Sequence, residues 1–81
     1  MKKNVVVKMD TTDATPIAHL VQLANQYSSR IYLEMDTKKV NAKSIMGMMS
    51  LALVSGSSVT IDADGDDEVK AANAIEDFLT K

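Results

Sequence analysis

The feature that most constrains the fold is the way apolar residues switch between two periods along a chain of 81 residues. Val59, Ile61 and Ala63 alternate with Ser58, Thr60 and Asp62, the period-two pattern of a strand with one buried face. Residues 30–35 alternate too and contain the β-formers Ile31, Tyr32 and Leu33. From Ile17, by contrast, the apolar positions fall at Leu20, Val21, Ala24 and Tyr27, the spacing that lays one stripe along a helix. Residues 4–9 form a β-branched run that reads as a buried strand. Asp13 is placed to cap the first helix, Pro16 falls in its first turn and Ser28-Ser29 ends it. Asp36-Thr37-Lys38-Lys39 reads as a hairpin turn into a short strand around Val40. Ser44 caps a second helix over residues 45–54, which Gly56 ends. A third helix opens at Asp64-Gly65-Asp66-Asp67-Glu68, where acidic residues suit the positive end of the helix dipole, and carries Ala72, Ile75, Phe78 and Leu79 on one stripe. The order β-α-β-β-α-β-α implies a single α+β domain over residues 1–81, an antiparallel or mixed sheet covered by helices on one face.

Composition narrows the function classes. Aromatic residues are 4% of the chain against 46% hydrophobic overall, so the core is aliphatic and base-stacking surfaces are scarce. A net charge of −2 lacks the basic footprint of a nucleic-acid binder, so direct DNA or RNA binding is not expected. Cysteine is absent, which removes disulfides and thiolate metal sites, and His19 is the one candidate for imidazole chemistry. No apolar run reaches ~18 residues and the first eight residues do not form a signal peptide, so membrane insertion is not expected and the expected location is cytoplasmic. No cofactor is expected. The run from Asp62 to Glu68 places its glycine fourth and has no twelfth-position glutamate, so it does not fit a calcium loop and reads as an acidic helix start.

The second helix has more apolar residues than one buried face needs. Met48, Leu51, Ala52 and Val54 can fill the side toward the sheet, while Ile45, Met46 and Met49 lie on a different arc at about 100° per residue. Some of these are therefore expected at the surface, as a partner-binding patch built on adaptable methionine. Methionines 46, 48 and 49, with Met35 on the adjoining strand, gather around this segment. Lys43 precedes Ser44, and Lys38 and Lys39 stand in the hairpin before it. Phosphate on Ser44 would set a charge of about −2 at the rim of the patch.

The run Lys39-Val40-Asn41-Ala42-Lys43-Ser44-Ile45-Met46-Gly47-Met48-Met49-Ser50-Leu51 resembles the regulatory-serine segment of HPr, the phosphocarrier of the bacterial sugar phosphotransferase system, in its Gram-positive form. The resemblance continues through Leu20-Val21-Gln22-Leu23-Ala24 and from Val59-Thr60-Ile61 to Gly65, and covers essentially the whole chain. It implies the HPr open-faced β-sandwich, a four-stranded antiparallel sheet with three helices on one face. The family's active segment, Gly-Leu-His-Ala-Arg-Pro-Ala, falls here on Thr11-Thr12-Asp13-Ala14-Thr15-Pro16-Ile17, so Asp13 stands in place of the phosphoacceptor histidine and Thr15 in place of the arginine. His19 lies six residues further along, roughly 9 Å away along a helix.

The resemblance therefore implies a non-catalytic HPr-like regulator of carbon catabolite control. Ser44 would be phosphorylated by HPr kinase/phosphorylase, and the phosphoprotein would bind a LacI-type catabolite regulator as corepressor. Lys43, Ile45, Met46 and Met49 would meet the partners, with Thr15 occupying the place of an arginine that usually faces the regulator. A phosphocarrier working with enzyme I and permease components through Asp13 is the alternative, and a constitutive docking module a third.

Overall fold

The structure is a computed structural model that describes residues 1–8, 14–51 and 53–80, with only the backbone of residues 14 and 15. The described residues form β1 (Lys2–Val6), α1 (Ala14–Asn25), β2 (Arg30–Met35), β3 (Lys38–Asn41), α2 (Ile45–Leu51), β4 (Ser58–Asp64) and α3 (Glu68–Thr80). The strands make one antiparallel sheet in the order β1-β4-β2-β3.

Register follows the alternation. Val5 pairs with Val59, Ile61 sits opposite Leu33, and Ala63 opposite Ile31, so these residues share the face that the helices cover. Leu20 and Ala24 of α1, Met48 and Leu51 of α2, and Ala72, Ile75 and Leu79 of α3 complete the buried core. The intervening strand positions build a polar outer face. There Lys2 meets Glu34 at 3.6 Å, Lys39 meets Asp62 at 3.5 Å, and the Lys39 ammonium lies 5.0 Å from the centre of the Tyr32 ring. A sheet with one aliphatic and one ionic face needs helices on one side only, which is the expected open-faced sandwich.

Several boundaries move. The first strand begins at Lys2 and ends at Val6, because its ladder is set by Asp62 to Ser58 of β4 and not by its own apolar run. Val7 is nevertheless fully buried; its N–H donates to the Ser57 carbonyl and its carbonyl accepts from Gly56 N–H. The hairpin loop is only Asp36-Thr37, with Asp36 at φ 55°, a conformation an aspartate tolerates. α1 gives out at Asn25, before the two serines.

The second helix is described as far as Leu51, so helical periodicity does not reach Val54: Leu53 is buried and Val54 is exposed. Met48 is only 1% exposed, on the side toward the sheet where its spacing placed it, and the partly buried Met35 packs against the core, so the exposed methionines of this segment are Met46 and Met49.

Candidate functional site

Residues 41–44 carry the chain from the edge strand β3 into α2. The Asn41 side-chain oxygen accepts from Lys43 N–H at 2.8 Å, and the Asn41 carbonyl accepts from Ser44 N–H at 3.0 Å. This Asx-type turn ends the strand and sets up the helix. Ser44 is then the N-cap: its carbonyl accepts the first helical hydrogen bond from Met48 N–H at 3.0 Å, and its Oγ accepts from Gly47 N–H at 3.3 Å.

The turn is tied to the end of α1. The Lys43 ammonium donates to the Tyr27 carbonyl at 2.7 Å, and the Asn25 amide donates to the carbonyls of Val21 at 2.8 Å and Lys43 at 3.4 Å. Lys43, read from sequence as a partner contact, thus has an internal role, placing its positive charge where α1 leaves a carbonyl over. Ser44 is consequently held on a braced turn, half-buried at its base.

Beside it lies the apolar patch. Met46 is 84% exposed, Met49 52% and Ile45 47%, whereas Met48 and Leu51 point into the core. The three exposed side chains stand at i, i+1 and i+4, on the arc expected for them, with Ser44 immediately preceding. Lys38 donates to the Ser50 carbonyl at 3.4 Å, near the C-terminal end of the helix.

The remaining sequence candidates lie elsewhere or outside the described residues. Asp13 lies outside them, and Thr15 is described only as a backbone position in the first turn of α1. His19 is exposed and borders a groove between α1 and α3, with Gln22, Asp77 and Phe78 among its lining. Among the described residues, no group of three or more histidines and acids is placed to hold a metal ion. No helix of the described residues is long and apolar enough to cross a membrane.

The acidic run does something the sequence reading missed. Asp67 begins α3 through its backbone, its carbonyl accepting from Ala71 N–H at 2.8 Å, but its carboxylate reaches away from its own helix. It accepts from the N–H groups of Ser28 and Ser29, both at 2.9 Å, and from both hydroxyls. The Ser29 hydroxyl first, then the Ser28 backbone bond, bring the Asp67 carboxyl down to about 2. Glu68 turns instead to the Met1 ammonium at 2.8 Å, and this carboxylate holds the amine above its ordinary value. Nothing local in the sequence signals this clamp, because Ser28 and Ser29 meet Gly65 and Asp67 only when the two loops are brought together.

Comparison with known proteins decides the family. The model of the PTS-HPr family, described as the PTS HPr component phosphorylation site, matches residues 1–81. The chain belongs to the HPr family. It is 50% identical over 82 residues to the HPr-like protein Crh of Halalkalibacterium halodurans, covering 100% of this chain and 98% of that one. The phosphocarrier protein HPr of Bacillus anthracis superposes with a TM-score of 0.94 at 42% identity, over 99% of this chain and 96% of the other. Crh of Bacillus subtilis, described as a catabolite-repression protein that forms a dimer with a swapping domain, superposes with a TM-score of 0.80 at 47% identity, over 93% and 85% of the two chains. The expected family and its open-faced sandwich are both borne out. The chain is an HPr-like protein, akin to a regulator of catabolite repression as well as to phosphocarriers.

Proposed function

We propose that this HPr-like protein works through Ser44: HPr kinase/phosphorylase phosphorylates it, and the phosphoprotein serves a LacI-type catabolite regulator as corepressor. The observation that carries the reading is the placement of the Ser44 hydroxyl on a braced turn at the rim of an exposed apolar patch of Ile45, Met46 and Met49. A partner that covers the patch gains apolar burial whether or not phosphate is present. Phosphate adds a charge of about −2 and oxygens that accept from a partner's arginine or lysine, so docking becomes conditional on the modification. In the transfer, the Ser44 oxygen bonds the terminal phosphorus of ATP or pyrophosphate, the bridging P–O bond breaks, and the hydroxyl proton passes to a base on the kinase. Lys43 contributes by holding the turn, through Tyr27, where the patch and the hydroxyl face the same partner.

Two incubations test this, one with ATP and HPr kinase/phosphorylase and one with phosphoenolpyruvate and enzyme I, each followed by intact mass. The expected result is a mass gain in the kinase reaction alone, abolished by Ser44→Ala. A hydroxylamine-labile phosphate acquired from enzyme I would overturn the reading in favour of a phosphocarrier using Asp13. No gain in either reaction would leave a constitutive docking module as the function.

A further inference from the structure

Two of the exposed side chains in the patch are thioethers, and their burial divides the α2 methionines sharply: Met46 is 84% exposed and Met49 52%, while Met48, between them in sequence, is 1% exposed. Met46 and Met49 stand three residues apart and so share one face of α2, with Ile45 beside them and Ser44 at its start. We propose that Met46 and Met49 form a reversible oxidation site, at which conversion to sulfoxide by a peroxide disables docking on the Ser44 patch. The docking consequence rests on the reading of Ser44 given above; the oxidation site itself does not.

The chemistry follows from access. The sulfur lone pair attacks one oxygen of hydrogen peroxide, an S–O bond forms as the O–O bond breaks, and water leaves with the displaced oxygen. Sulfur is oxidised by two electrons and the peroxide is reduced by two. A dithiol reductase reverses the step, returning the thioether with one disulfide and one water. Sulfoxide formation replaces a soft apolar group with a strong hydrogen-bond acceptor at the point where a partner must exclude water. Met48 is shielded by the same fold that presents the other two, so the oxidised protein keeps its core. With no cysteine in the chain, these exposed thioethers offer peroxide a sulfur beside the modification site.

The test is a hydrogen peroxide titration of the folded protein, read by peptide mapping and by the initial rate at which the kinase proposed above modifies Ser44. Met46 is expected to oxidise first, Met49 next, and Met48 only when the protein unfolds. Oxidation of the two exposed residues is expected to slow Ser44 phosphorylation roughly tenfold, the factor associated with burying one poorly satisfied polar group. A methionine sulfoxide reductase with a dithiol is expected to restore the rate. The Met46→Leu/Met49→Leu variant, compared with its own untreated sample, is expected to lose the peroxide effect. Oxidation of Met48 as early as Met46 would overturn the site. An unchanged phosphorylation rate after oxidation, or a rate that stays peroxide-sensitive in the double variant, would overturn the docking consequence. If the untreated protein accepts no phosphate on Ser44, the reading above falls and takes that consequence with it, while the oxidation map still decides the site.

Discussion

Two helix starts in this molecule have opposite designs. At α3, Asp67 supplies the capping backbone but sends its carboxylate across to Ser28 and Ser29, 38 to 39 residues earlier in the chain. At α2, Ser44 keeps both backbone and side-chain capping within its own helix, bonding Gly47 N–H and Met48 N–H, and leaves exposed methionines beside it. The first start joins two distant loops through a network whose acceptor is fully committed. At the second, the Ser44 hydroxyl bonds only within its own turn, while the long-range ties of that turn to α1 run through Lys43 and Asn25, so the proposed modification of Ser44 would change the surface without unfastening the sheet. A helix terminus whose polar atoms are spent on long-range partners ties the architecture together, whereas one whose polar atoms are spent locally can be altered at smaller cost to the rest of the fold.

The largest effect is expected at the α3 junction. Gly65 has φ 155°, and a Cβ there would lie 2.6 Å from Ser29 Oγ and 2.7 Å from Ser29 Cα. The hydroxyl can rotate, but the Cα cannot move without pulling β2 from its register. Gly65→Val is expected to cost about 4 kcal/mol, combining overpacking with an unfavourable backbone conformation. Urea denaturation checks this, and a loss under about 1 kcal/mol would show that the two loops are not rigidly docked.

A second expectation sets inside against outside within α2. Met48→Ala is expected to cost about 3 kcal/mol, because the side chain is buried and its removal leaves a cavity. Met46→Ala is expected to stay within about 0.5 kcal/mol of the parent in the same denaturation assay, since 84% of the residue is already in water. Initial rates with HPr kinase/phosphorylase are expected to reverse the order, Met46→Ala being slowed and a folded, volume-conserving Met48→Leu not. Equal slowing by both would remove the distinction between patch and core.

The sequence carried much of this. Period-two and period-3.6 patterns, with the β-branched run of residues 4–9, the hairpin turn before Val40 and the Ser44 cap, name all seven elements in order, and the 100° arc separates Met46 and Met49 from Met48. What it missed had a common physical cause, dependence on a neighbour distant in the chain. The start of β1 at Lys2 is imposed by β4, and Val54 comes to the surface because the chain has left its helix and Leu53 takes the buried place. The Asp67 clamp links loops that share no local pattern. Of the candidate site, the Ser44 cap and the exposed arc were legible because both are properties of one helical turn. The internal tie made by Lys43 was not legible, because its acceptor, the Tyr27 carbonyl, lies 16 residues back.

The clamp also separates the two starts by pH. The Asp67 carboxyl titrates at about 2 when folded, below its ordinary 3.8. A carboxyl with a lowered folded value stabilises the fold fully above its unfolded value, and that contribution disappears as pH falls from 3.8 through about 2. Urea midpoints measured down this range are expected to drop for the parent and to drop less steeply for Asp67→Asn, which cannot lose a charge there. Parallel slopes would mean that Asp67 is not a source of the acid sensitivity.

The smallest stability effect is expected at Ser44, and its smallness is the informative part. Ser44→Ala removes the acceptor for Gly47 N–H and is expected to cost about 1 kcal/mol, typical for loss of a cap. Ser44→Asp retains an acceptor at that position and is expected to recover most of that loss. Neither variant can gain phosphate there, so the kinase reaction should leave both masses unchanged while thermal unfolding distinguishes them. A separation of this kind would establish that the hydroxyl is dispensable for the fold and required for the modification. If Ser44→Ala instead cost as much as Gly65→Val, the α2 start would be as deeply built into the architecture as the α3 start, and modification at Ser44 would have to act by unfolding the turn.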